Sequence, residues 1–148
     1  MNDWNNTFLQ IAEIFAKQST CVKRQVGAVL VKDLRILSTG YNGTPTGFVN
    51  CCDVFTSEFG YLNGLKMTHH EFADMYEIHA EQNCLSFAAK NGISCKDTTL
   101  YVTTAPCVNC AKVIIASGVT KVVYKDSYKN NLGLNLLKVA KVEVLQVK

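Results

Sequence analysis

No stretch of this sequence is apolar for long enough to cross a bilayer, and the N-terminus carries no basic segment followed by an uninterrupted apolar one. The expectation is a soluble, cytoplasmic protein with no membrane partner. Runs of lysine or arginine are missing too. The 15 Lys and Arg residues are scattered and the net charge is only +3, so nothing demands a nucleic-acid polymer as partner. A few well-placed cations would still hold one phosphate group. Internal repeats and low-complexity tracts are also absent, which leaves 148 residues, 48% of them apolar, to form one domain (1–148) around one core.

What the chain does have is seven cysteines. Without an export signal they do not suggest a disulfide framework, because a reducing compartment keeps thiols free and the count is odd. Metal binding or catalysis is the better reading.

Helical spacing of Phe8, Leu9, Ile11, Ala12, Phe15 and Ala16 predicts an amphipathic helix over Asn5 to Gln18. The apolar run Val26 to Val31 and the segment Ile36 to Tyr41, joined by Lys32-Asp33-Leu34-Arg35, predict a hairpin. Asn42 to about Met67 is rich in Gly, Asn, Thr and Ser and reads as a long loop near a functional surface. Helices are expected at Ile78 to Asn91, stopped by Asn91-Gly92, and at Cys107 to Ser117, stopped by Gly118. Strands are expected at Thr98 to Thr104 and Val119 to Lys125. Asn131 to Ala140 is weakly helical, and Lys141 to Val147 closes as a strand. A hairpin followed by alternating helices and strands predicts an α/β fold in three layers, with helices on both faces of a sheet.

Two fragments carry the chemistry: His79-Ala80-Glu81 and Pro106-Cys107-Val108-Asn109-Cys110, each at the expected start of a helix. Cysteines three apart on a helix share a face, so Cys107 and Cys110 can bind one ion, and Pro106 suits the first helical position. The amides of the helix N-terminus should lower both thiol pKa values. His79 and Glu81, two residues apart, can share a pocket only near a helix end. One imidazole and two thiolates leave a fourth tetrahedral position on Zn2+ open to water, as a catalytic site requires. Zinc lowers the pKa of bound water toward about 7, and Glu81 would move protons from that water to the ring N3 and the departing amino group. The alternatives are a structural zinc site completed by two other residues, or buried core thiols. Neither accounts for the glutamate.

With these fragments the chain resembles the cytidine deaminase superfamily. Gly40-Tyr41-Asn42-Gly43-Thr44-Pro45, Ile78-His79-Ala80-Glu81-Gln82-Asn83, Tyr101-Val102-Thr103 and Ser117-Gly118-Val119 are similar to deoxycytidylate deaminases of phage and bacterial type, in the same order and over nearly the whole chain. The resemblance implies a three-layer α/β/α sandwich with a five-stranded mixed sheet and hydrolysis of dCMP to dUMP, a thymidylate precursor. Competing substrates are cytidine, guanine or transfer-RNA adenosine; a zinc module without catalysis is the competing class. By the same resemblance Asn42 binds the sugar hydroxyl and Val26 packs on the base. The Ala80 backbone and Thr104-Ala105 read the polar edge of the base, and Tyr128 closes over the nucleotide. Lys23 and Arg24 are phosphate candidates or, equally, part of a solvated turn. Asn42 as a turn cap and Tyr128 as a surface aromatic are the plainer readings.

A second, structural zinc in this family would correspond here to Cys21, Cys51, His69 and Glu77, with Cys52 and His70 as adjacent substitutes. Such a closed site would tie down an otherwise costly loop. The resemblance also implies a homo-hexamer activated by dCTP and inhibited by dTTP, with Mg2+ on the triphosphate. Asn42, Gly43, Asn50, Asp53, Asn83, Phe87 and Lys90 fall at the corresponding effector positions. Lys90 stands where an arginine is familiar, and reads equally as an exposed helix cation. Cys84 and Cys95 are assigned no role.

Overall fold

The computed structural model describes residues 2–57, 60–61 and 67–148. The elements run α1 (Trp4–Ala16), β1 (Gly27–Lys32), β2 (Arg35–Tyr41), α2 (Cys51–Val54), β3 (Phe55–Ser57), β4 (Gly60–Tyr61), α3 (His69–Tyr76), α4 (Ala80–Lys90), β5 (Thr99–Thr104), α5 (Val108–Ser117), β6 (Lys121–Asp126), α6 (Leu132–Val139) and β7 (Glu143–Gln146). Five strands form one mixed sheet in the order β2-β1-β5-β6-β7. The β1 pairings to β2 and β5 are antiparallel, and β5–β6 and β6–β7 are parallel.

Alternation along the strands makes the three layers. Val29, Val31, Tyr101 and Val123 pack with Phe8, Leu9 and Ala12 of α1, and the Tyr101 hydroxyl donates to Asn5 Oδ1 at 3.0 Å. Their neighbours Ala28, Leu30, Leu100, Val102, Val122 and Tyr124 point the other way, into a larger core closed by α4, α5 and α6. The β1–β2 hairpin turns on Asp33 and Leu34, whose φ values of 51° and 60° give the two-residue turn that suits strand twist. Gly118 ends α5 in the left-handed region at φ 92°, as its position in the sequence predicts. No described helix is long and apolar enough to cross a membrane.

One expectation needs correction. The segment Asn42 to Met67 is not all loop: it contains α2 and the β3–β4 pair, and Gly43 bridges to Ile78. A helix that hydrophobic periodicity does not reveal, α3, follows it. Thr68 caps α3 by accepting from the Glu71 amide, while Glu71 reaches back to the Thr68 amide. Phe72 of α3, with Cys21, Cys51 and Phe55, forms a small separate core.

Candidate active site and metal centres

His79 is the N-cap of α4, and Glu81 stands in the first turn. The Gln82 side-chain oxygen accepts from the His79 amide at 2.9 Å, fixing the backbone entry into the helix. Cys107 is the N-cap of α5, so Pro106 lies just before the cap rather than at the first helical position. The Cys107 sulfur accepts from the Cys110 amide at 3.4 Å. The two helix starts meet: His79 Nδ1 is 3.2 Å from Cys110 Sγ and 3.5 Å from Cys107 Sγ. These three donors lie within 4.8 Å of one another, and among the described residues no fourth His, Cys, Asp or Glu joins them. A three-donor set with imidazole and thiolate chemistry fits zinc in an open site.

Glu81 is 4% exposed, and burial raises its carboxyl pKa above the ordinary value. The two thiols shift in opposite directions. Cys107 is lowered to about 4, chiefly by the Cys110 hydrogen bond and despite burial. Cys110 is pushed up by that same bond, by burial and by the facing Glu81 charge. Proximity explains the split, because two thiols in one pocket share a proton until a cation replaces it.

A second cluster joins Cys21, Cys51, His69 and Glu77, again with all ligand atoms within 4.8 Å. His69 Nε2 is 3.3 Å from Cys51 Sγ and 3.6 Å from Cys21 Sγ, and the ring stands edge-on to Phe55 at 5.2 Å. Glu77 Oε1 is buried without a hydrogen-bond partner, a state that a bound cation would relieve. Four protein donors make a closed, structural kind of site. Of the adjacent alternatives, Cys52 is exposed beside Asp53, and His70 pairs on the surface with Asp74 at 3.6 Å.

Both clusters border one cavity of about 390 Å3. Val26, Asn42, Ala80, Thr104, Ala105, Tyr128, Lys23 and Arg24 all line it with Glu81, so every substrate residue expected from the sequence is gathered there. Asn42 is held firmly: its Oδ1 accepts from the Val26 amide and its Nδ2 donates to Arg24 O, each at 2.8 Å, leaving one lone pair and one hydrogen for a ligand. Lys129 and Asn130 also line the cavity, and no motif in the sequence singles them out. Gly43, Asn50, Asp53, Asn83, Phe87 and Lys90 lie outside its lining.

The zinc-binding region model of cytidine and deoxycytidylate deaminases matches residues 2–126. The chain belongs to this family. Among its relatives, the deoxycytidylate deaminase of Enterobacteria phage T4 is 40% identical over an alignment covering 96% of this chain and 89% of that one. The deoxycytidylate deaminase of Schizosaccharomyces pombe is 36% identical, covering 97% of this chain and 44% of its own. In three dimensions this family member is similar to the dCMP deaminase of cyanophage S-TIM5 in complex with dCMP and dUMP. The TM-score is 0.80 at 36% identity, with 96% and 95% of the two chains covered.

Proposed function

We propose that the chain hydrolyses dCMP to dUMP and ammonia. The observation that carries this reading is the meeting of His79, Cys107 and Cys110 beside buried Glu81, at a cavity sized for one nucleotide. The phage relatives and the dCMP-bound neighbour support the substrate. When bound by His79, Cys107 and Cys110, zinc supplies Lewis acidity that makes water a nucleophile near neutral pH. Glu81, with its carboxyl pKa raised by burial, is suited to take a proton from the attacking water and return protons to N3 and the leaving amino group. Val26 packs on the base, Tyr128 closes over the nucleotide, Asn42 holds the sugar, and the Ala80 and Thr104-Ala105 backbone reads the polar edge. Lys23 and Arg24 face the phosphate. In the cell the dUMP product would feed thymidylate synthesis.

The Cys21, Cys51, His69 and Glu77 group holds a second, structural zinc in this reading. The closed donor set and the orphaned Glu77 oxygen support it. An effector site for dCTP and for dTTP with Mg2+, in a homo-hexamer, belongs to the same reading. Its support is that Asn83, Phe87 and Lys90 recur along α4, the helix that carries Glu81, and that Asn83 Nδ2 donates at 2.7 Å to Tyr41 O, next to Asn42 and Gly43.

Two measurements test the chemistry. Glu81→Gln should keep fold and zinc while turnover falls roughly 10²- to 10⁴-fold; near-normal turnover would remove its proton-transfer role. Ammonia release should be faster from dCMP than from deoxycytidine or cytidine, and equal or better turnover of the nucleosides would defeat the nucleotide assignment. Running the same panel with dCTP and dTTP tests regulation.

A further inference from the structure

Cys21 belongs to the four-donor group, and it also begins the turn that carries Lys23 and Arg24. The Val22 amide, next in the chain, donates to Cys51 Sγ at 3.5 Å. The start of the turn is therefore fixed to two members of that group, covalently at Cys21 and by an amide–thiol bond at Cys51. The far end of the turn is tied to the substrate cavity, through the bonds of Asn42 to Arg24 O and to the Val26 amide. The side chains that leave this turn are cationic. Lys23 and Arg24 line the cavity, with the Arg24 guanidinium 5.8 Å from the centroid of the Tyr128 ring and Lys129 Nζ 5.6 Å from the same ring. Cations grouped round one aromatic at the cavity suit a phosphate monoester.

The geometry points to a role for the four-donor group in phosphate recognition: a metal held by Cys21, Cys51, His69 and Glu77 presets the Cys21 to Arg24 turn, and nucleotide-over-nucleoside selectivity depends on it. This inference rests on the dCMP reading above. The physical reason is entropic. An exposed side chain such as Arg24 must be ordered when a phosphate binds, and a turn anchored at Cys21 and by the Val22 amide on the Cys51 thiolate has already surrendered backbone freedom. These residues act as positioning groups and take no part in the chemical step. Binding linkage is reciprocal, so the phosphate must also tighten the metal.

The test uses the intact chain carrying Glu81→Gln, which spares the ligand from turnover. Zinc release to a chelator is followed in saturating dCMP or saturating deoxycytidine. The nucleotide should slow release of the zinc of the four-donor group, identified as the release phase that His69→Gln removes, about tenfold more than the nucleoside does; equal protection overturns the inference. Adding Lys23→Gln and Arg24→Gln should erase that difference, and a difference that persists overturns the route through the turn. With Glu81 restored, His69→Gln should lower the dCMP-to-deoxycytidine affinity ratio about tenfold and raise KM for dCMP more than it lowers kcat. A folded His69→Gln protein that binds both ligands equally weakly would have lost only a structural site. If that variant fails to fold, Glu77→Gln marks the release phase in its place and the chelator experiment decides alone. Failure of the dCMP reading looks different, as absence of preferential turnover of the nucleotide. Preferential turnover with equal zinc protection refutes only the coupling.

Discussion

Glu81 and Gly133 show how much a single position can govern here. Glu81 sits one residue beyond Ala80, which is fully buried, so the carboxylate is carried into the core side of the pocket while His79 before it remains exposed. Gly133, at the start of α6, lies against the α5 entry: a Cβ there would fall 2.1 Å from Pro106 O and 2.9 Å from the Cys107 carbonyl group. Gly133→Ala must therefore push α6 away or shift Cys107. The expected loss is about 1–3 kcal/mol of stability in a urea melt, with zinc leaving the catalytic group at lower chelator concentration. Neither effect is visible in the sequence, where Gly133 reads as an ordinary residue in a weak helix. The ligands are another matter. His79, Cys107 and Cys110 declare themselves by spacing, because first-turn geometry allows few alternatives. Cys21, Cys51, His69 and Glu77 are scattered over 57 positions, and only a family resemblance gathers them before the fold does. Lys129 and Asn130 escape both routes, since their places are set by how the chain leaves β6.

Among the elements, α3 is the one most dependent on its local signal. Its first residue, His69, is a member of the second donor group, and only Thr68 and Glu71 fix where the helix begins. Thr68→Ala should cost about 1 kcal/mol. It should also loosen the second zinc without slowing the chemical step, as read by thermal melting together with metal analysis. The capping pair Thr68-x-x-Glu71 is the sequence feature that could have revealed α3. It was obscured because the segment has only Phe72, Met75 and Tyr76 as large apolar residues, too few for a convincing stripe. The sheet was far more legible. Its strands are β-branched runs bounded by turn residues, and helix stops at Gly92 and Gly118 fall where left-handed φ values of 68° and 92° are found. Strand ends slip by a residue or two, as at β6 and β7, because fraying there has no chemical marker.

At the scale of the whole molecule, two metal-competent clusters flank one cavity, joined by a chain segment that folds around neither core alone. Metal analysis should find about two zinc ions per chain in fully active protein, and about one would contradict the second site. Stripping both with a strong chelator should lower the melting midpoint by roughly 5–10 °C, because ligands that bind only the folded state stabilise it. Scanning calorimetry with and without chelator, followed by zinc add-back, measures this. Burial of Cys51, whose thiol is raised to about 12, means the apo cluster holds protons that the metal must displace.

Ile78 is the only residue between Glu77 and His79, and Gly43 fastens it on both sides, through Gly43 N to Ile78 O at 3.0 Å and Ile78 N to Gly43 O at 2.8 Å. One rung of backbone thus serves as hinge pin for two chemically separate neighbourhoods. Chimeras that exchange the stretch from Cys51 to Ile78 with a homologue will work only when the donor's whole ligand set, including the partner at position 21, travels with it.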